Sequence, residues 1–110
     1  MHERPQIKIT GLDTALIEAI KQIILQHKPV EKIVLFGSRA HRANNKTSDV
    51  DLAIFSTDWD STDINLVLDE LEEHIFTPLQ FDLLLYHALQ NEALKKEIEG
   101  GITLYHAKQS

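Results

Sequence analysis

Residues 49–55 read Asp-Val-Asp-Leu-Ala-Ile-Phe, an apolar strand whose opening carries two carboxylates. Side chains alternate faces along a strand. Asp49 and Asp51 therefore share one face, while Val50, Leu52 and Ile54 point the other way into a core. Two anions at neighbouring positions on one face repel each other, and a bound cation removes that cost. Hard divalent cations such as Mg²⁺ take oxygen ligands, usually one or two carboxylates plus substrate phosphates. The pair has a plainer reading too. Asp-x-Asp is common in surface loops, and an aspartate at a strand start, as in Ser48-Asp49, can simply cap a turn.

A second acid stands in a similar setting. In the run Leu-Gln-Phe-Asp-Leu-Leu-Leu-Tyr-His, Asp82 interrupts apolar and aromatic residues and shares a face with Leu84 and Tyr86. If the two strands are neighbours, Asp82 approaches the Asp49–Asp51 pair. Three carboxylates from two strands make a two-metal site for in-line displacement at phosphorus. On an edge strand, Asp82 would instead be solvated.

Ahead of the pair, Lys32 to Phe36 reads as a strand and is followed by Gly37-Ser38. Glycine lets the backbone turn sharply and lets a ligand come close. A helix opening at Ser38 would present free N–H groups and the positive end of its dipole to an anion. The Ser38 hydroxyl and the Arg39 cation suit a phosphate. The plainer alternative is a strand-to-helix turn with a capping serine. Neither the P-loop pattern nor G-x-G-x-x-G is present. Arg39, Arg42 and Lys46 form a cluster too small for a DNA groove and large enough for one triphosphate.

The rest of the chain alternates helices and strands. Apolar residues recur at helical spacing from Leu12 to His27, with Asp13 at the start and Pro29 beyond the end. A short helix is expected over Ser38–Asn44, a strand over Val50–Phe55, and a helix from Ser61 or Thr62 to about Phe76. A strand over Phe81–Tyr86 follows Pro78. A helix over Ala88–Glu99 then stops at Gly100-Gly101 and leads to a short strand at Ile102–Tyr105. Residues 1–10 read as an arm or edge strand. The pattern is α/β, a small sheet flanked by helices. Its 110 residues suit one domain spanning 1–110, and 43% hydrophobic with 25% charged residues is a globular composition.

Net charge is −6, and no cysteine is present. The first disfavours direct nucleic-acid binding, which usually needs a basic face. The second excludes disulfides and thiolate zinc sites. No apolar run approaches the roughly 18 residues of a membrane span, and the N-terminus lacks a signal-peptide core. These features make the cytoplasm the expected location, with no membrane partner.

Gly-Ser, ten residues, then Asp-x-Asp resembles the signature of the DNA polymerase β-like nucleotidyltransferase superfamily. FGSRA followed by SDVDLAI, with Asp82 and the final GITLY, is similar to its minimal nucleotidyltransferase branch, the MNT or MntA-type antitoxins that accompany HEPN toxins. The resemblance implies a polymerase β palm-like core. It implies that Gly37, Ser38, Arg39 and Ser48 hold the nucleoside triphosphate. Asp49, Asp51 and Asp82 would bind two Mg²⁺ ions, with Asp82 helping to activate the attacking hydroxyl. The implied reaction moves AMP from ATP to a tyrosine hydroxyl of a HEPN ribonuclease toxin, in a type VII-like toxin–antitoxin module. The branch commonly reads GSRARG. Here His41 stands for an arginine and Arg42 for a glycine.

The core takes up almost the whole chain, so the acceptor is expected on a partner. A non-catalytic antitoxin that blocks by binding, and a subunit of a small-molecule nucleotidyltransferase, are the rival readings. The six histidines include no H-E-x-x-H zinc pattern. Trp59 is expected to cover a sheet edge; an exposed ring would suit a partner instead. Asp69, Glu70, Glu72 and Glu73 are expected to form a solvated helix face that could meet a basic partner.

Overall fold

The computed structural model describes residues 14–37, 49–77 and 79–107. Helix α1 (Thr14–His27) leads into β1 (Lys32–Phe36). Strand β2 (Asp49–Phe55) is followed by α2 (Ser61–His74) and β3 (Gln80–Leu85). A 3₁₀ turn (Tyr86–Ala88), α3 (Glu92–Glu99) and β4 (Ile102–His106) complete the order. The expected N-terminal arm, the Asp13 cap, the helix over 38–44 and Pro78 lie outside the described residues.

The four strands form one mixed sheet in the order β3-β2-β1-β4. β1 runs antiparallel to both β2 and β4, whereas β2 and β3 are parallel and joined through α2. One sheet face presents Ile33, Leu35, Val50, Leu52, Ile54 and Leu83. Ile17, Ile20 and Ile24 of α1, with Val67 and Leu71 of α2, pack against it. Their three- and four-residue spacing gives each helix one apolar stripe. The opposite face carries Val34, Phe36 and Ala53, covered by Ile98 of α3. Gly101 lets α3 turn tightly into β4, because a Cβ there would lie 2.4 Å from the Leu35 carbonyl oxygen.

Four expected boundaries move, and local hydrogen bonds set the two helix starts among them. The cap of α2 is Asp60 rather than Ser61 or Thr62. Its carboxylate accepts from the N–H groups of Thr62 (2.9 Å) and Asp63 (3.2 Å). The Asp60 N–H donates back to the Asp63 carboxylate at 2.8 Å, closing a capping box. At its far end α2 stops at His74, with Ile75 extended, two residues short of Phe76. The last helix starts at Glu92 instead of Ala88, because the Asn91 side chain accepts from the Leu94 N–H at 3.1 Å. Tyr86 leaves the strand and opens the 3₁₀ turn.

Asp63 also ties the two large helices together. It is buried, and it accepts from His27 Nε2 at 2.8 Å and Lys28 Nζ at 3.2 Å. Trp59 packs its ring edge-on to His27 at 5.1 Å between centroids and donates Nε1–H to the Pro29 carbonyl at 3.2 Å. The tryptophan is therefore buried over the end of α1 and presents no ring to a partner.

The His27 hydrogen bond, the Asp60 N–H and Lys28 together hold the Asp63 carboxyl far below its usual range. A carboxylate more acidic in the folded than in the unfolded chain stabilises the fold above its unfolded pKa. That contribution fades as pH falls toward the folded pKa. Asp63→Asn is thus expected to lower the melting temperature at pH 7. The difference from the native chain should shrink below about pH 4. Thermal unfolding followed by circular dichroism across this range checks both statements.

Candidate active site

Register brings the predicted acids to one end of one sheet face. Asp51 lies opposite Phe36 on β1 and directly opposite Asp82 on β3. Asp49 lies opposite Gln80. Alternation puts Asp49, Asp51, Ala53 and Phe55 on the face that α3 covers, and Asp82 and Leu84 join them there. Asp49 and Asp82 are exposed, and Asp51 is half-buried between them.

The other half of this face is filled. Phe55 stacks on Tyr86 at 4.2 Å between centroids. Lys32 and Lys95 cap that stack, their ammonium groups 5.0 Å and 5.4 Å from the Phe55 and Tyr86 ring centres. The Tyr86 hydroxyl donates to Glu99. Among the described residues, the aromatic end is therefore closed by packing, and the carboxylate end carries the exposed Asp49 and Asp82.

Gly37 has a different first role from the one expected of it. Its φ is +78°, a left-handed conformation that side chains disfavour. A Cβ on Gly37 would lie 2.6 Å from Asp51 Oδ2. The close approach that demands glycine is thus that of the Asp51 carboxylate against the turn. Gly37 brings the end of β1 and the acid together. Ser38, Arg39 and Ser48, with His41, Arg42 and Lys46, lie outside the described residues.

Burial pushes the Asp51 carboxyl above its usual pKa, and the charges of Asp82, Asp49 and Glu97 push it further. Glu97 is the member that sequence reasoning missed. It precedes Ile98, which anchors α3 over Val34, Phe36 and Ala53, so its charge bears on the acids from another element. The usable signal was an acidic residue beside the apolar position of a helix that ends at the sheet.

Three oxygen-donor side chains on one face, with ionisation of the central one disfavoured by burial and then by its charged neighbours, suit a hard divalent cation. They stand farther apart than a closed cage. Among the described residues, the group of three ligating side chains whose donor atoms fall within 4.8 Å of one another is Glu70, Glu73 and His74. That group is exposed on the outer side of α2 and consists of helix neighbours. No helix among the described residues is long and apolar enough to cross a membrane.

A strand-borne acid pair, an acid from the parallel neighbour and a glycine turn against them form the framework of a phosphoryl-group transferase. Residues 18–110 match the family model described as polymerase beta, nucleotidyltransferase. The chain belongs to this nucleotidyltransferase family, its four-stranded mixed sheet with flanking helices is that fold, and it is a transferase. Two relatives from Methanocaldococcus jannaschii, both named protein adenylyltransferase, are 33% and 32% identical over 92 residues. Each alignment covers 76% of this chain and 91% of the relative.

Two solved structures share the fold. One is an MntA–HpeT toxin–antitoxin complex carrying two aspartate-to-glutamate changes. It has a TM-score of 0.68 and 18% identity, covering 84% of this chain and 74% of the matched one. The other is a tri-AMPylated Shewanella oneidensis HEPN toxin with its MNT antitoxin. There the TM-score is 0.66 and identity 20%, covering 84% and 71% of the two chains.

The crowding of Asp51 has a measurable sign. A carboxyl whose folded pKa is raised favours the fold when protonated and costs stability once pH rises above that pKa. Asp51→Asn is therefore expected to raise the melting temperature at neutral pH in the absence of divalent cation. The gain should vanish below about pH 4, where the unfolded carboxyl is also protonated. Gly37→Ala is expected to lower the melting temperature in the native background, since its Cβ meets the Asp51 carboxylate.

Proposed function

We propose that this chain transfers AMP from ATP to a tyrosine hydroxyl of a HEPN-domain toxin, and so acts as the antitoxin of a two-protein module. The observation that carries the reading is the register of Asp51 opposite Asp82, on the face of Asp49 and against Gly37. The names of the archaeal relatives support adenylyl transfer to protein. The shared fold with antitoxins in complex with HEPN toxins supports the class of partner. We read residues 1–110 as one catalytic domain acting in the cytoplasm.

Asp49, Asp51 and Asp82 would hold two Mg²⁺ ions, which when bound neutralise charge on the triphosphate and the departing pyrophosphate. Gly37, Ser38, Arg39 and Ser48 would hold the triphosphate. The acceptor oxygen bonds to the α-phosphorus as the bond to the bridging oxygen breaks and pyrophosphate leaves. The hydroxyl proton passes toward Asp82. Asp51 is held against the glycine turn and beside Asp82. Modification adds bulk and negative charge to the toxin where RNA phosphates must bind, which explains neutralisation physically.

The test is intact-protein mass spectrometry of the HEPN partner after incubation with ATP, Mg²⁺ and a substoichiometric amount of this chain. Mass increases of whole adenylyl units are expected. Replacing Asp49 and Asp51 together by Asn should reduce transfer by more than about a hundredfold while the variant stays folded. Full neutralisation of the toxin without ATP and with no mass change would defeat the reading. It would leave a blocking protein in its place.

A further inference from the structure

We propose that Phe76, standing beyond the acidic outer face of α2, is the anchor on which a basic protein acceptor docks to reach the carboxylates. The inference rests on the protein-modifying function proposed above and specifies where that protein is held. Phe76 is 94% exposed, and among the described residues the only other large exposed apolar side chain is Leu66, at 50%. A lone exposed apolar side chain is ordinary on a protein surface. Its place in the fold and the charges around it make this one different.

Helix α2 starts after the far end of β2 and returns the chain to the end where β3 begins. Phe76 sits in that return, six residues before Asp82. Chain geometry keeps their Cα atoms within roughly 20 Å. A standard protein interface covers about 800 Å² on each partner, a disc of roughly 16 Å radius. Helix α2 packs on the sheet face opposite the carboxylates, so an acceptor that touches both the phenylalanine and the carboxylates wraps the β3 edge of the sheet. Energetic anchors of interfaces are typically single aromatic side chains filling a pocket on the partner.

Charge identifies the occupant. Asp69, Glu70, Glu72 and Glu73 are all exposed on the last turns of α2. His74 lies 3.7 Å from Glu70 and 3.6 Å from Glu73, but Asp69 and Glu72 form no ion pair among the described residues. The exposed carboxylates Asp49 and Asp82 lie at the same end of the sheet. A second copy of this chain, with net charge −6, would meet like charge here. A protein with Lys and Arg around an apolar pocket meets complementary charge.

The experiment uses the full chain and the HEPN-domain protein as acceptor, with affinity measured by isothermal titration calorimetry. Phe76→Ser is expected to weaken binding at least about tenfold and to raise the acceptor KM in proportion. The saturating transfer rate and the melting shift produced by Mg²⁺ and ATP should not change. Glu72→Lys with Glu73→Lys should also weaken binding. In the native chain, affinity should fall as salt rises. Native-like acceptor affinity in Phe76→Ser would overturn the docking role. So would a loss of self-association, seen by light scattering, with acceptor affinity intact. If the native chain neither binds nor modifies the HEPN protein, the functional reading itself fails, and this inference falls with it.

Discussion

Pairing of β2 with β3 in one particular register sets Asp82 beside Asp51, and the apolar back of the sheet holds that register in place. Val50, Leu52 and Ile54 are fully buried under α1 and α2, and Leu83 of β3 packs with them. Sliding either strand by one residue would exchange its faces and drive a carboxylate into that core. Burying an unpaired charge costs far more than the mutual repulsion of half-solvated aspartates. The sheet therefore tolerates a like-charge crowd at its open end. The alternative arrangement is worse.

Crowding at that end is built from several directions. Gly37 adopts a left-handed turn that presses backbone against the Asp51 carboxylate. Helix α3, seated by Ile98, adds the charge of Glu97. At the opposite end the Phe55–Tyr86 stack fills the same face. Such a site sacrifices some stability in the free protein.

Away from the site, the Asp60–Asp63 capping box does more than start a helix. Asp63 receives His27 and Lys28 from the end of α1, and Trp59 closes over the same junction. Both large helices are thereby fixed on one face of the sheet. That anchorage sets where α2 starts.

Much of this architecture is legible in the chain itself. Apolar patterning located the three α-helices and four strands among the described residues but not the 3₁₀ turn at Tyr86–Ala88, because burial on one side imposes a repeat of two or about 3.6 residues. Alternation in Asp49–Phe55 placed both aspartates on one face, and the Gly-Ser and Asp-x-Asp spacing pointed to the family. Element ends were less legible. Asp60 displaced Ser61 and Thr62 as the cap, and Asn91 delayed α3, since several residues compete locally for the same orphan N–H groups. Tertiary structure alone decided four things: the mixed sheet order, the parallel pairing that brings Asp82 to Asp51, the contact of Gly37 with a carboxylate, and the approach of Glu97. Each depends on residues distant in the chain meeting in space. Local propensity carries no information about which strand becomes a neighbour, whereas packing of the whole core does.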